Sequence, residues 1–235
     1  MCQECSKATI SRRGLFAGGL ALTIAASSSS LAFAQAPDGR PNSAEEALMR
    51  LKEGNARYIA NAPINADHSV GRINRSMGQQ PFAAVVTCAD SRVVPELIFD
   101  QGPGDLFVIR VAGNFINEDG LASLEFAAAV LGIRAILVLG HTSCGAVDAT
   151  IKSIKDNTLP PGHLPRLVNA IRPAVYDVMA SNPDNLLAAA TAKNAQLNAS
   201  VAATSGPILA EFHDKGTITS AAAIYDIATG KVAFL

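Results

Sequence analysis

The chain has 235 residues, with 19 Lys and Arg against 20 Asp and Glu, a formal net charge of −1 and no Trp. That length allows one domain with a sizeable core. The charge balance leaves no case for nucleic-acid binding, and the abundant Ala predicts a core of small and aliphatic side chains.

The first residues read as a targeting segment rather than as part of the fold. Arg12 and Arg13 are paired, Leu15 to Ala26 is moderately apolar, and Leu31-Ala32-Phe33-Ala34 ends in a small-x-small pattern. The apolar part falls short of the ~20 residues a bilayer-spanning helix needs. Twin arginines with this flank resemble a twin-arginine export signal. The reading is a signal peptide over 1–34, a Pro/Gly linker over 35–42, a single domain over 43–235, and a periplasmic or otherwise exported location. The mature form is expected to associate with neither membrane nor nucleic acid. Cleavage after Ala34 removes Lys7, Arg12, Arg13 and Glu4, a net +2, and takes the formal charge to −3. Cys2 and Cys5 form a CxxC that would go with the signal, so it is read as incidental.

Ser43 and Glu46 form a capping box, and Leu48, Leu51, Asn55 and Tyr58 give the face of a first helix. It packs outside the sheet or against a partner subunit. Residues 61–80 are polar and irregular. Phe82 to Thr87 is an apolar run that reads as a buried strand, followed by the exit loop Cys88-Ala89-Asp90-Ser91-Arg92. Val93 to Phe99 is a short helix and Leu106 to Ile109 the heart of a second strand within 105–111. Gly120 to Leu131 is an Ala-rich helix closed by Gly132. Ala135 to Leu139 is a third strand ending at Gly140, with His141-Thr142-Ser143-Cys144 at its mouth. A helix runs from there to about Lys155, and 157–165 is a Pro/Gly loop. Leu167 to Met179 follows as a helix that Pro173 is expected to kink or break. The next helix is expected over 183–201, with Asn182 as N-cap and Pro183 in first position. A short helix over 207–213, a strand over 218–227 and a last run over 231–234 complete the chain. Alternating strands and helices predict an α/β fold, a mainly parallel sheet of about four to five strands flanked by helices. Sites in such sheets lie beyond the carboxyl ends of the strands, where Cys88, His141 and Cys144 fall.

Two thiolates and one imidazole are the Cys2His donor set of a catalytic zinc with one position open. The ion acidifies a bound water, giving a zinc-bound hydroxide usable near neutral pH. Asp90 can fill the fourth position and close the site, or stay back as a hydrogen-bond partner of that water. An Asp90–Arg92 pair would keep the carboxylate ionised and off the metal. In an exported protein two cysteines also invite a disulfide or thiol-redox reading, but their placement beside His141 and Asp90 favours metal. His68, His163 and His213 have no partner spacing and are not assigned as ligands. Gly113 and Asn114 are read as shaping a strand-end turn.

Cys88-Ala89-Asp90-Ser91-Arg92-Val93 and Gly140-His141-Thr142-Ser143-Cys144-Gly145 resemble the paired zinc motifs of β-class carbonic anhydrases. Asp105 to Asn114 is similar to that family's middle strand. The resemblance covers roughly 42–235, with 157–206 matching only in helical character. It implies one Zn2+ per chain on Cys88, His141 and Cys144, with the Asp90–Arg92 dyad as gate and proton acceptor. It also implies a substrate pocket of Phe107, Ala112 and Phe126, with Gln79 reaching in from a neighbouring subunit of an intertwined homodimer or tetramer. Phe126 stands where many members have Tyr, and Ala112 where some have Val. The implied reaction is the reversible hydration of carbon dioxide to bicarbonate and a proton. Hydrolysis of carbonyl sulfide or carbon disulfide on the same fold is an alternative, and a non-catalytic zinc-binding exported protein is another.

Overall fold

The computed structural model describes residues 39–69 and 71–235. The signal-peptide reading of 1–34 lies outside them. Helix α1 (Ala44–Ile59) starts as the capping box predicts, Ser43 Oγ accepting the Glu46 N–H at 3.1 Å. The return bond differs by one residue: the Glu46 carboxylate takes the Asn42 N–H, not that of Ser43. Ala47, Leu51, Gly54 and Asn55 form its buried face. Gly54 is required there, since a Cβ would sit 1.7 Å from the Phe99 carbonyl oxygen.

A single turn, α2 (Arg72–Arg75), interrupts the irregular stretch before β1 (Ala83–Thr87). Then follow α3 (Pro95–Ile98), β2 (Leu106–Arg110), α4 (Glu118–Ala129) and β3 (Ala135–His141). After these come α5 (Gly145–Lys155), α6 (Leu164–Met179), α7 (Leu186–Thr204), α8 (Ile208–Asp214), β4 (Thr219–Tyr225) and β5 (Val232–Phe234). One helix start needs correction, and of the kink or break expected at Pro173 the break does not occur. Pro173 sits inside α6 without ending it. The proline forfeits one backbone bond, but Val168, Ile171, Ala174 and Val175 bury a continuous face that holds the helix together. Helix α7 begins three residues later than expected: Asn185, not Asn182, caps it by accepting the Ala188 N–H. Asn182 instead takes a left-handed turn conformation, φ 44°, which asparagine tolerates better than most residues.

The five strands run in the order β2-β1-β3-β4-β5, the first four parallel and β5 antiparallel. Strands β1 and β3 are central neighbours and buried along their whole length, as continuous apolar runs predict for a sheet covered on both faces. Odd positions Ala83, Val85, Ala135, Leu137 and Leu139 pack with Ala47 and Leu51 of α1. Even positions Ala84, Val86, Ile136 and Val138 pack with Leu124 and Ala127 of α4 and Ala195 and Ala199 of α7. Burying each Leu or Ile contributes roughly 1.5–3 kcal/mol, and α1 covers one face of the sheet with Ala47 and Leu51. Asn55 ties α1 to the β4–β5 hairpin, donating to Gly230 O and Ile98 O and accepting the Val232 N–H.

Candidate metal centre

Register brings the centre together. Thr87, the last residue of β1, lies opposite Leu139 of β3, and its hydroxyl donates to the Leu139 carbonyl at 3.2 Å. Adjacent strands stand about 4.8 Å apart, so Cys88 just beyond β1 and His141 closing β3 emerge side by side. A turn with Ser143 at φ 57° then swings Cys144 back as the N-cap of α5. The donor atoms of Cys88, His141 and Cys144 all lie within 4.8 Å of one another, and all three residues are buried. Both cysteines are free thiols.

The donors suit a metal ion on this structure's own terms. His141 Nδ1 faces the Thr142 carbonyl at 2.9 Å, which fixes the ring proton on Nδ1 and leaves Nε2 with a lone pair. That buried Nε2 has no hydrogen-bond partner; such an orphan costs about 1–3 kcal/mol, which a bound cation would offset. The Cys88 thiol is pushed down because the Cys144 thiol donates to it, against burial, with the Gly113 N–H adding to the effect. Cys144 is pushed up as the donor of that bond and by burial, against the Ala146 and Val147 N–H groups. A divalent cation among the three satisfies both sulfurs and the nitrogen at once, and two thiolates with one imidazole is a zinc set.

Asp90 stands at the edge of this group, its Oδ2 4.0 Å from His141 Nε2. Arg92 grips it in a bidentate pair, Nε to Oδ1 at 2.9 Å and Nη2 to Oδ2 at 2.8 Å, and the Arg92 backbone N–H also donates to Oδ1. The Arg92 guanidinium holds the Asp90 carboxyl well below the usual carboxylate range, against a small burial effect. Asp90 is therefore ionised and engaged at neutral pH.

Sequence reasoning missed Arg110. Its Nε and Nη2 donate to the carbonyls of Cys88 and Asp90 at 3.3 and 2.7 Å, bracing the exit loop from the end of β2. The one available signal was a charge closing an otherwise apolar strand. The 113–114 turn is present, with the Asn114 N–H bonded to Val111 O, but it also reaches the centre: the Gly113 N–H donates to Cys88 Sγ at 3.3 Å. Asn194 and Asn198 of α7, also missed, hold that turn.

The residues assigned to substrate divide. Ala112 is half-buried beside Gly113. Phe107 of β2 and Phe126 of α4 pair with ring centroids 6.5 Å apart. Phe107 lies level with Ala84, short of the strand end, and Phe126 is 47% exposed. Gln79 precedes β1, whereas Cys88 follows it. It lines a cavity of about 790 Å³ with Arg40, Arg50, Arg75, Gln80 and Phe82. Within one chain Gln79 is not brought to the centre. His213 bonds Leu209 O and Ser220 Oγ, and neither it, His68 nor His163 joins the donor group. No helix of the described residues is long and apolar enough to cross a membrane.

Comparison with known proteins follows the same lines. The family model described as carbonic anhydrase matches residues 83–232. Carbonic anhydrase 2 of Mycobacterium tuberculosis is 46% identical over 140 residues, 59% of this chain and 66% of the relative. The carbonic anhydrase of Mycolicibacterium smegmatis is 41% identical over the same shares, so the match spans just under two thirds of either relative. Among solved structures, the β-carbonic anhydrase CcaA superposes with a TM-score of 0.61 at 30% identity, covering 80% of this chain and 94% of its own. Tetrameric β-carbonic anhydrases of Sordaria macrospora share the fold at TM-score 0.64 and 21% identity, covering 81% of this chain and 97% of theirs.

Proposed function

The chain belongs to the β-class carbonic anhydrase family, and from that premise we propose that it catalyses the reversible hydration of carbon dioxide to bicarbonate and a proton. One observation carries the reading: Cys88, His141 and Cys144 converge as a buried donor set with an ionised, arginine-held Asp90 at its edge. Zinc is the cofactor, and these three residues would hold one ion per chain. Zinc on such a set supplies Lewis acidity that lets water ionise near neutral pH.

The chain's own residues do the rest. Asp90 accepts a hydrogen bond from water at the edge of the centre and orients it, and the proton leaves to solvent. Arg92 keeps that carboxylate charged and aimed. Phe115, Val147 and Ile151 pack around the cysteines, an apolar wall that suits a small uncharged molecule and holds bulk water off. Phe107, Ala112 and Phe126 are assigned to the substrate side, with Gln79 supplied by the second chain of a homodimer or by a tetramer. The test is stopped-flow hydration of carbon dioxide with zinc measured on the same sample. Carbonyl sulfide and carbon disulfide are run beside it to assign the substrate. Zinc-loaded protein with no carbon dioxide turnover would overturn the proposal.

The export reading joins this proposal. It is supported by Arg12-Arg13, the short apolar stretch and the Ala32–Ala34 ending. On that reading the mature enzyme, 35–42 as linker and 43–235 as the catalytic domain, is periplasmic or otherwise exported.

A further inference from the structure

Helix α7 contributes no metal donor, yet a chain of buried hydrogen bonds links it to Cys88. Cys88 Sγ accepts the Gly113 N–H at 3.3 Å. The Gly113 carbonyl accepts from Asn194 Nδ2 at 2.8 Å. One helical turn on, Asn198 Nδ2 donates to the main-chain oxygen and Oδ1 of Asn194 at 2.8 and 3.3 Å, and Asn198 Oδ1 accepts the Ile116 N–H at 2.7 Å. Two asparagines at i and i+4 thus hold both ends of the 113–116 turn, and they are only 1% and 7% exposed.

Asparagine is a poor helix former, and buried amides must be satisfied. Their place in an Ala-rich helix is explained by the turn they hold. That turn has one backbone path: Gly113 sits at φ 84°, and a Cβ there would come within 2.4 Å of Ile171 Cδ1. Its product is a single N–H aimed at a ligand sulfur. Hydrogen bonds to ligand atoms fix their orientation and tune the metal.

We infer that Asn194 and Asn198 are positioning residues for the metal centre, acting through the Gly113 N–H on Cys88. The inference rests on Cys88 being a zinc ligand. Asn194→Ala removes the donor to Gly113. Asn198→Ala leaves that bond but frees its partner and the Ile116 end. Leu209→Ala, a fully buried position on α8 that bears none of these hydrogen bonds, controls for general destabilisation.

Full-length zinc-loaded protein is titrated against a chromophoric chelator, and cobalt-substituted samples are compared by their thiolate charge-transfer band. Asn194→Ala is expected to weaken zinc binding about 10- to 100-fold, the range for loss of a ligand's supporting partner. It should also shift the cobalt band, with Asn198→Ala intermediate and Leu209→Ala close to wild type. Wild-type affinity and an unchanged band in both asparagine variants would overturn the inference, as would equal loss in Leu209→Ala. If Asn194→Ala does not fold, Asn198→Ala decides by the same two readouts. A wild type that takes up no zinc sinks the parent reading itself, and is seen before any variant is compared.

Discussion

Arg92→Ala tests the heart of the proposed mechanism. The substitution deletes both guanidinium contacts to Asp90 and leaves only the backbone N–H on Oδ1. The distance the freed carboxylate must then travel follows from the structure. Asp90 Oδ2 stands 4.0 Å from His141 Nε2. Around a tetrahedral zinc with N and O ligands at about 2.0–2.2 Å, two such donors lie roughly 3.4 Å apart. For Asp90 to share an ion with His141, that separation would have to close by at least about 0.6 Å. The variant should keep one zinc per chain and lose activity by ~10²-fold or more, the scale of a lost catalytic side chain. Cobalt-substituted Arg92→Ala should report a carboxylate ligand. Asp90→Asn should lose ~10²–10⁴-fold without that signature, because an amide is a poor zinc ligand. Activity near wild type in Arg92→Ala, or a cobalt spectrum identical to wild type, would refute the gating role.

Cys88→Ser and Cys144→Ser should each lose most of the bound zinc, measured by elemental analysis after dialysis; zinc-free wild type with full activity would count against the site. Arg12→Lys combined with Arg13→Lys should leave folded protein in the cytoplasm, seen by fractionation, and normal delivery of the double variant would dismiss the export signal. Asp100→Asn should destabilise the fold by about 1.5–3 kcal/mol at pH 7, the worth of hydrogen bonds to a charged group, measured by urea unfolding. Burial raises the Asp100 pKa, but Arg57 with the Asn65 and Ile64 N–H groups outweighs it and holds the carboxyl below its usual value. That contribution is therefore complete above the unfolded value of about 3.9 and fades as pH falls through it. The gap between wild type and variant should close below that pH, and a gap that widened on acidification would contradict the assignment.

The centre was legible because its parts are local in sequence. Buried parallel strands write themselves as unbroken apolar runs, and the reactive residues sit directly at their ends, as Cys88 does after Thr87 and His141 after Gly140. What escaped was non-local or ambiguous. Arg110 acts on backbone carbonyls, which no side-chain pattern announces. Asn194 and Asn198 reach a turn some 80 positions away, and in sequence they are polar interruptions of an Ala-rich helix. Asn182 and Pro183 offered a start signal for α7, but Asn185 caps it. Pro173 obeyed its local cost but lost to the burial of α6.

The pairing of β1 with β3 has a further consequence. The donors come from strand ends separated by more than fifty positions, joined by main-chain bonds that involve no side chain of the centre. Ligand geometry is thus stored in the sheet, not in the ion. A small zinc finger collapses when its metal is stripped; this chain should instead behave as an empty socket. Chelation should cost it little secondary structure, and added zinc should restore the site at the speed of diffusion and local rearrangement rather than of refolding.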